Sequence, residues 1–413
     1  MSYDQFIAAK LGVIASAGID APLRDYDLFP HQSDLTRWAL RRGKAAIFAD
    51  TGLGKMRMAI AWADTVFQHT CHPVMILCPL AVAQQFVAEG LLMGIEVTHC
   101  REQQDVRQGI NITNYDRMHK FDMSQFSGVA LDESSIIKSH ASKTLALLMD
   151  AFRTTPYKLC CTATPSPNDW TELGTHAEFL GVRSRSEMLA EFFVHDGGDT
   201  SVWRLKGHAR AVFWRWVASW GAMIRSPADL GYDASAYALP PLHIHQHTVE
   251  IEHNPMHGLF AQEAQTLTER RQSRRDSMAA RVQACADLVN AHSDEPWIVW
   301  CDLNDEGDML ERAIDGCVQV AGADDNDTKE RRMVGFSTGQ HRVLISKQKI
   351  CGWGMNWQHC SNQAFVGVND SYEGFYQAVR RSWRFGQRRP VNIHVFASNQ
   401  DGAVVANIKR KQA

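Results

Sequence analysis

The stretch FADTGLGKMRMAIA, residues 48–61, decides the fold of the first part of the chain. Gly52 and Gly54 allow the backbone to turn its N–H groups toward an anion, and Lys55 adds a positive charge for the β- and γ-phosphates of a nucleotide. The residue after such a lysine is normally Ser or Thr, whose hydroxyl binds Mg²⁺. Here it is Met56, which has no hydroxyl. The stretch predicts a phosphate-binding loop that lacks one metal ligand.

Apolar runs on both sides of this loop predict the surrounding architecture. AAIFA precedes the loop as a strand, and residues 56–67 follow it as a helix. Two series of apolar segments continue along the chain, at 74–80, 109–113, 128–133 and 157–165, and then at 297–302, 317–322, 342–347, 363–368 and 391–396. Apolar strands that alternate with helical segments are typical of parallel sheets covered on both faces. We therefore expect two α/β lobes.

The acidic half of a nucleotide site is predicted at the end of one of these strands. GVALDESS, residues 128–135, carries Asp132 and Glu133 directly after an apolar run. Asp132 would hold Mg²⁺, and Glu133 would orient or deprotonate the attacking water. Since Mg²⁺ keeps several waters and needs only one or two carboxylates besides phosphates, Met56 is expected to weaken the site rather than abolish it. The alternative is a strand end with two solvated carboxylates.

Composition limits the classes of partner and the compartment. The net charge of −3 over 413 residues gives no overall basic signature, so nucleic-acid binding would depend on local patches. Basic residues cluster at 269–275, at 409–411 and at Arg388 and Arg389, either as backbone contacts or as solvated faces. The ten cysteines form no CxxC pair, which is typical of a reducing compartment. With no signal peptide or membrane-spanning stretch apparent, a cytoplasmic protein is predicted.

The region between the two series differs from both. It is rich in aromatic residues, of which Phe213, Trp216 and Trp220 follow helical spacing. Core packing of a helical insertion at about 181–239 is favoured over a base-stacking platform. Pro240 and Pro241 predict a boundary, which gives an N-terminal extension (1–28), a first lobe (29–240) and a second lobe (241–413). The alternating histidines that follow, a conceivable metal site but more simply polar strand residues, are His243, His245 and His247.

From about Phe29 to Phe396 the chain resembles superfamily-two helicases, and within them the Swi/Snf-type DNA translocases. FPHQ resembles the segment that reads adenine, with Gln32 as the candidate, and ADTGLGK resembles the first motif. LDESSIIKS resembles the Asp-Glu-Ala-His stretch, with Ser134 and Ser135 in place of Ala and His. By this resemblance the nucleotide contacts of the first lobe are Gln32, Thr51, Gly52, Leu53, Gly54, Lys55, Met56 and Asp132.

Other motifs of the first lobe imply contacts to nucleic acid and coupling. LCPL (77–80) and NITNY (111–115) resemble motifs near the nucleic-acid backbone, which implies DNA contacts at Pro79, Asn114 and Tyr115. CTATPSPND (161–169) resembles the Thr-Gly-Thr-Pro motif, which implies that Thr162 and Thr164 link the ATP state to lobe movement.

In the second lobe, ICGWGMNWQ (350–358) resembles a glycine-rich motif, with Gly354 expected at the nucleotide and Asn356 at the DNA. QAVRRSWRFGQRRPV (377–391) resembles the final motif, in which Gln377 takes part in coupling. The same resemblance implies that Arg381 and Arg384 are arginine fingers. The amino-acid sequences of these motifs are most similar to those of compact helicase-like proteins of phages and prophages.

The resemblance implies two RecA-like P-loop NTPase lobes of the α/β class, with ATP and Mg²⁺ in the cleft between them and hydrolysis coupled to movement on duplex DNA. One alternative, raised by Met56, is an ATP-binding clamp or scaffold on DNA that hydrolyses poorly. A second is an RNA-directed helicase of the Asp-Glu-Ala-Asp type, and a third is a subunit of a restriction or methylation system. Protein partners in phage or mobile-element DNA metabolism are conceivable.

Overall fold

The computed structural model describes residues 18–80, 82–139, 142–166, 169–196, 199–249, 275–351, 355–367 and 372–398. The chain divides into two compact units, Met1–Tyr237 and Ala238–Ala413. The basic segments at 269–274 and 409–411 and the glycine at position 354 lie outside the described residues.

The first unit is built on a parallel seven-stranded sheet. Its strand order is β3-β4-β2-β5-β6-β1-β9, and every neighbouring pair is parallel. Strands β2, β4 and β5 are buried at every position, because helices cover both faces of the sheet. The strands of this unit are β1 (Lys44–Ala49), β2 (Val74–Cys78), β3 (Val97–His99), β4 (Ile110–Asn114), β5 (Gly128–Asp132), β6 (Tyr157–Cys161), β7 (Phe193–Asp196), β8 (Asp199–Leu205) and β9 (Gly221–Ile224).

Helices of the first unit connect these strands. The helix that follows the glycine loop runs from Lys55 to Thr70, three residues beyond the predicted end. The seven helices described here are α1 (Pro30–Arg42), α2 (Lys55–Thr70), α3 (Ala83–Leu92), α4 (Lys143–Ala151), α5 (Leu173–Phe179), α6 (Arg185–Phe192) and α7 (Arg210–Ala218).

The segment at 181–239 is only partly helical, which corrects the prediction of a helical insertion. Between α6 and α7 the chain forms the antiparallel hairpin β7–β8, and after α7 strand β9 joins the main sheet beside β1. The aromatic residues on α7 and after it pack inside the unit: Phe213, Trp216 and Trp220 are at most 1% exposed. Core packing is therefore confirmed for these three side chains.

The second unit is a parallel six-stranded sheet of order β10-β15-β14-β11-β13-β12. Trp297, Trp300 and Trp357 are buried in it. Its described elements are β10 (Leu242–Val249), α8 (Met278–Ala291), β11 (Trp297–Cys301), α9 (Asn304–Ala313), β12 (Cys317–Val320), α10 (Asn326–Ser337), β13 (Val343–Lys347), α11 (Gln348–Cys351), β14 (Asn362–Phe365), α12 (Tyr372–Val379) and β15 (Val391–Ser398).

The predicted histidine strand is β10, at the edge of this second sheet. His247 Nε2 hydrogen-bonds to His394 Nδ1 on β15 at 2.9 Å, and the rings of His245 and His394 stack 4.7 Å apart. Among the described residues, no group of three or more His, Cys, Asp or Glu side chains is arranged to hold a metal ion.

All ten cysteines are free thiols, and Cys160 and Cys161 are buried on β6 as expected. Within the described parts of the chain, none of the helices combines the length and the apolar character needed to span a bilayer.

Candidate nucleotide-binding site

The first unit places the predicted nucleotide residues along one edge of its sheet. Strands β1, β6 and β5 are consecutive and parallel, so their carboxyl ends point the same way. The glycine loop follows β1, Thr162 follows β6, and Asp132 ends β5. Ligands of open α/β sheets bind outside the carboxyl ends of the strands. The fold therefore brings together a loop, a lysine and two carboxylates that lie far apart in sequence.

The loop has the backbone geometry that its glycines predict. Gly52 and Gly54 have φ angles of 91° and 84°, in the left-handed region that favours glycine. Helix α2 begins at Lys55, directly after Gly54, so the amide groups of its first turn lie at the loop. The ammonium group of Lys55 donates to the carbonyl oxygens of Ala49 and Asp50 at 2.8 and 3.2 Å, inside the curve of the loop. This arrangement suits a phosphate group.

Gln32 is held against the loop. It is buried, its Nε2 donates to the Leu53 carbonyl at 3.1 Å, and its Oε1 accepts from the backbone N–H of Phe29 at 3.1 Å. A Cβ atom at Gly54 would lie 2.1 Å from Gln32 Nε2. The predicted adenine-reading residue and the predicted phosphate loop are therefore in direct contact.

The residues that flank Gln32 belong to a cluster of aromatic rings. The rings of Phe29 and Tyr237 lie 5.9 Å apart edge-on, and those of His31 and Tyr237 lie 5.5 Å apart. Phe29 is 41% exposed, so part of this cluster faces solvent, where a purine ring could pack. The sequence analysis missed Tyr237, since it is separated from His31 by 206 positions and carries no motif.

The side chains of the site fit Mg²⁺, although the loop lacks the hydroxyl ligand that a Ser or Thr after the lysine normally supplies. Asp132 is 7% exposed at the end of β5, and a carboxylate oxygen is a hard ligand that Mg²⁺ prefers. Met56 lies in the first turn of α2 and is partly buried. Its thioether is a soft ligand that suits Cu(I) rather than Mg²⁺. Asp132 together with phosphate oxygens and water could hold the ion.

Glu133 is the most unusual residue of the site. Its backbone has φ 51° and ψ 50°, the left-handed conformation that only three described non-glycine residues adopt. Within the described part of the chain, its buried Oε2 has no hydrogen-bond partner. A buried carboxylate oxygen without a partner is costly, and left-handed backbone at a non-glycine residue is strained. Both features are typical of functional sites.

Three charged side chains of the site shift the pKa of one buried thiol, that of Cys161. The pKa of Cys161 lies well above its usual value, first because the thiol is buried and then because the negative charge of Asp132 is near. Lys55 lowers the same pKa and Glu133 raises it. Asp132 is the register partner of Cys161 across β5 and β6, so the acidic strand end lies beside the end of β6.

The residues predicted to couple ATP to movement or to contact DNA in this unit mostly bond to its own backbone. Thr162 is buried, and its Oγ1 accepts from the N–H of Thr164 at 3.2 Å. Asn114 Oδ1 accepts from the N–H of Arg117 at 3.0 Å, which caps a short turn. Tyr115 Oη donates to the Asp132 carbonyl at 2.7 Å, which connects this side chain to the acidic strand end. Pro79 is partly buried. Their proposed contacts to DNA stay predictions.

The second unit separates the two arginines of the final motif. Arg381 is 1% exposed, and its guanidinium donates to the Gln377 and Met355 carbonyls at 3.0 and 2.8 Å and to Gln377 Oε1 at 3.2 Å. Arg384 is only partly buried, and Asn356 is exposed. Arg381 therefore links the final motif to the glycine-rich motif, whereas Arg384 keeps part of its surface exposed, and the roles of both as arginine fingers stay predictions.

Comparison with known protein families gives a match in the first unit. Residues 31–217 match the SNF2-related domain. The matched residues include the phosphate loop, the acidic strand end and the hairpin, and the match ends within α7 before strand β9. No curated protein matches the chain.

Two solved structures share the fold over nearly the whole chain. S. cerevisiae Dbp5 bound to RNA and ADP BeF3 is similar with a TM-score of 0.57 at 12% identity, covering 94% of this chain and 93% of that one. A single-substitution variant of Dbp5 in the same complex gives a TM-score of 0.58 at 12% identity, with coverage of 94% and 93%. The Sulfolobus solfataricus SWI2/SNF2 ATPase core in complex with dsDNA gives 0.43 at 16% identity, with coverage of 94% and 90%.

These findings confirm the predicted fold. The likeness to the two Dbp5 structures, at 12% identity, shows tandem RecA-like lobes. The match to the SNF2-related domain is confined to residues 31–217, and the ATPase activity and the narrower resemblance to phage proteins stay predictions.

Proposed function

We propose that this protein is an ATP-dependent DNA translocase, which couples ATP hydrolysis to movement along duplex DNA. The observation that carries the proposal is the position of the phosphate loop and of Glu133 on one edge of the sheet of an SNF2-related domain. The buried carboxylate oxygen of Glu133, which has no partner among the described residues, is suited to accept a hydrogen bond from an attacking water.

Each residue of the site then has a distinct task. The loop amides and Lys55 bind the β- and γ-phosphates, and Gln32 with the ring of Phe29 receives the adenine. Asp132 would hold Mg²⁺, which supplies positive charge to the phosphate oxygens during hydrolysis. Glu133 orients the water and takes its proton. Arg384 of the second unit is the proposed arginine finger, which stabilises the charge of the transition state.

DNA is proposed as the track because of the sequence of the final motif. QAVRRSWRFGQ resembles the closing motif of DNA translocases, and the domain match is to the SNF2-related family. Dbp5, whose structure was solved with RNA, shares the fold at 12% identity, which does not specify the nucleic acid. We place the protein in the cytoplasm of a bacterium or phage-infected cell.

Met56 supports a second candidate function, an ATP-dependent DNA clamp with negligible turnover. With a thioether in place of the hydroxyl, the loop cannot supply its own Mg²⁺ ligand. A clamp would bind ATP and DNA through the same residues but would release almost no phosphate. The retention of Glu133 and Arg384 favours the translocase.

Phosphate release separates the two functions. We would measure it with Mg²⁺ and ATP for the natural protein, for Met56→Thr and for Lys55→Ala, with no nucleic acid, duplex DNA, single-stranded DNA or single-stranded RNA. We expect slow turnover that duplex DNA stimulates, a rise of about tenfold in Met56→Thr from the restored ligand, and no turnover in Lys55→Ala.

Two outcomes would contradict the proposal. If the natural protein and Met56→Thr both bind ATP and duplex DNA but release no phosphate, the chain is a clamp. If single-stranded RNA stimulates turnover and duplex DNA does not, the motor acts on RNA.

A further inference from the structure

A buried histidine forms a hydrogen bond with the residue that directly follows Glu133. His176 lies on α5, is fully buried, and has its Nε2 at 3.1 Å from the Oγ of Ser134. Ser134 is also fully buried and directly follows Glu133. Which of the two atoms donates depends on the tautomer of the imidazole. This buried hydrogen bond joins segments that are 42 positions apart.

Ser134 is well placed to control the conformation of Glu133. Glu133 has left-handed backbone angles and directly precedes the short turn Ser134–Ile137. A contact that fixes Ser134 therefore also restricts the backbone of Glu133. A strained backbone persists only where the surrounding structure holds it. The hydrogen bond between Ser134 and His176 provides such a contact to the first residue of the turn.

His176 also connects to the two other parts of the site. Its ring packs edge-on against Phe48 at 5.3 Å, and Phe48 is the second residue before Asp50 of the phosphate loop. Helix α5 follows the segment at 161–169 through the short turn Trp170–Glu172. A shift of that segment would therefore move the histidine, and through it Ser134.

We propose that His176 is a positioning residue for ATP hydrolysis, which holds Glu133 in its strained conformation through the hydrogen bond to Ser134. The inference rests on the proposed ATPase activity. It adds a residue that lies outside every motif in the sequence and a route from the segment at 161–169 to the carboxylate that orients water. Burial lowers the pKa of His176 to about 4, with backbone groups of Glu172 and Ser134 opposing the shift, so the imidazole that bonds Ser134 is neutral at physiological pH.

The test is a double-mutant cycle in DNA-stimulated ATPase. We expect His176→Leu to lower kcat by about tenfold or more, as a displaced catalytic group does, with KM for ATP changed less than twofold. Ser134→Ala should have the same effect, and the double variant should be no slower than either single variant. His176→Gln, which keeps a polar group near Ser134, should recover a large part of kcat.

Lys158→Met is the matched control for loss of a buried polar contact to α5. Lys158 is buried, and its Nζ donates to the Phe179 carbonyl at 2.9 Å, at the far end of the helix. This variant should lower the melting temperature and leave kcat unchanged. If it lowers kcat as much as His176→Leu does, or if the effects of His176→Leu and Ser134→Ala add independently, the proposal is wrong.

A crystal structure of His176→Leu gives a readout that does not depend on turnover. We expect Glu133 to leave its positive φ in the variant and to keep it in the natural protein. An unchanged Glu133 would overturn the positioning role. If the natural protein has no ATPase activity, the proposed function fails, and this crystallographic comparison alone decides the role of His176.

Discussion

Arg381 and Arg384 are three residues apart in one motif but have different environments. The guanidinium of Arg381 is enclosed within the second unit and donates to Gln377 and Met355. Arg384 is partly exposed. Removing the guanidinium would leave its buried acceptors without a hydrogen bond, and removing the acceptors would leave the buried guanidinium unpaired. Either change lowers the stability of the fold, because buried polar groups must be hydrogen-bonded. The motif therefore contains one arginine that is buried and hydrogen-bonded within the unit and one that is partly exposed.

Alanine substitutions should separate these two roles. Arg381→Ala should lower the free energy of unfolding of the second unit by about 2–4 kcal/mol, because three hydrogen bonds and a buried side chain are lost. Arg384→Ala should leave the free energy of unfolding within about 0.5 kcal/mol of the natural value and lower kcat by at least about a hundredfold. Urea unfolding and phosphate release measure both effects. If Arg381→Ala and the natural protein have the same free energy of unfolding, the hydrogen bonds of Arg381 contribute little to stability.

At the scale of elements, the turn from β1 into α2 does the most to form the site. Two glycines with positive φ allow the chain to reverse, and the first turn of α2 then presents its amides. Helix α1 contributes Gln32 to the same place, because α1 packs against α2. The contact between Gln32 and Gly54 leaves no room for a side chain at position 54.

Gly54→Ala should disrupt this contact, and Gly94→Ala is its matched control. Gly54 has φ 84° and Gly94 has φ 68°, so both variants should lose about 1 kcal/mol of stability from backbone strain. A Cβ atom at Gly94 has nothing within 4 Å, whereas one at Gly54 would lie 2.1 Å from Gln32 Nε2. We expect ATP affinity, measured by calorimetry, to fall at least about tenfold in Gly54→Ala only. Equal affinities in the two variants would argue against a nucleotide site here.

For the whole molecule, one buried and one partly buried histidine predict sensitivity to acid in both units. Burial lowers the pKa of His176 in the first unit to about 4. Burial, followed by the nearby imidazoles of His245, His247 and His292, lowers the pKa of His394 in the second unit to about 4. An unfolded chain restores these groups to about 6.5, so it binds protons that the folded chain does not bind. The stability that these groups contribute is fully present above pH 6.5 and is lost as the pH falls toward 4.

Urea unfolding between pH 4.5 and 7.5 measures this dependence. The free energy of unfolding should decrease steadily below pH 6.5, by up to about 1.4 kcal/mol per pH unit for each proton taken up. His394→Gln removes one such group, so the slope for the second unit should become shallower while that for the first unit is kept. A slope unchanged by this substitution would show that carboxylates dominate the acid response.

The sequence by itself determined the two parallel sheets, the glycine loop with its lysine, and the acidic strand end. Each of these depends on a pattern within a few neighbouring residues: apolar runs, glycines that allow positive φ, and charges directly after a strand. The ends of β6 and β14 were predicted too late, because TATP and residues 366 and 367 continue the sequence pattern of the strands but lie beyond their ends in the structure.

Only the tertiary structure decided which of the predicted residues face the site. The inward position of Arg381, the bond between His176 and Ser134, and the ring of Tyr237 beside His31 all join segments far apart in the chain. The addition of β9 to the first sheet is of the same kind. No local pattern specifies such contacts, because they arise from the packing of distant elements, and packing also provides the burial that shifts each pKa and the support that keeps Glu133 strained.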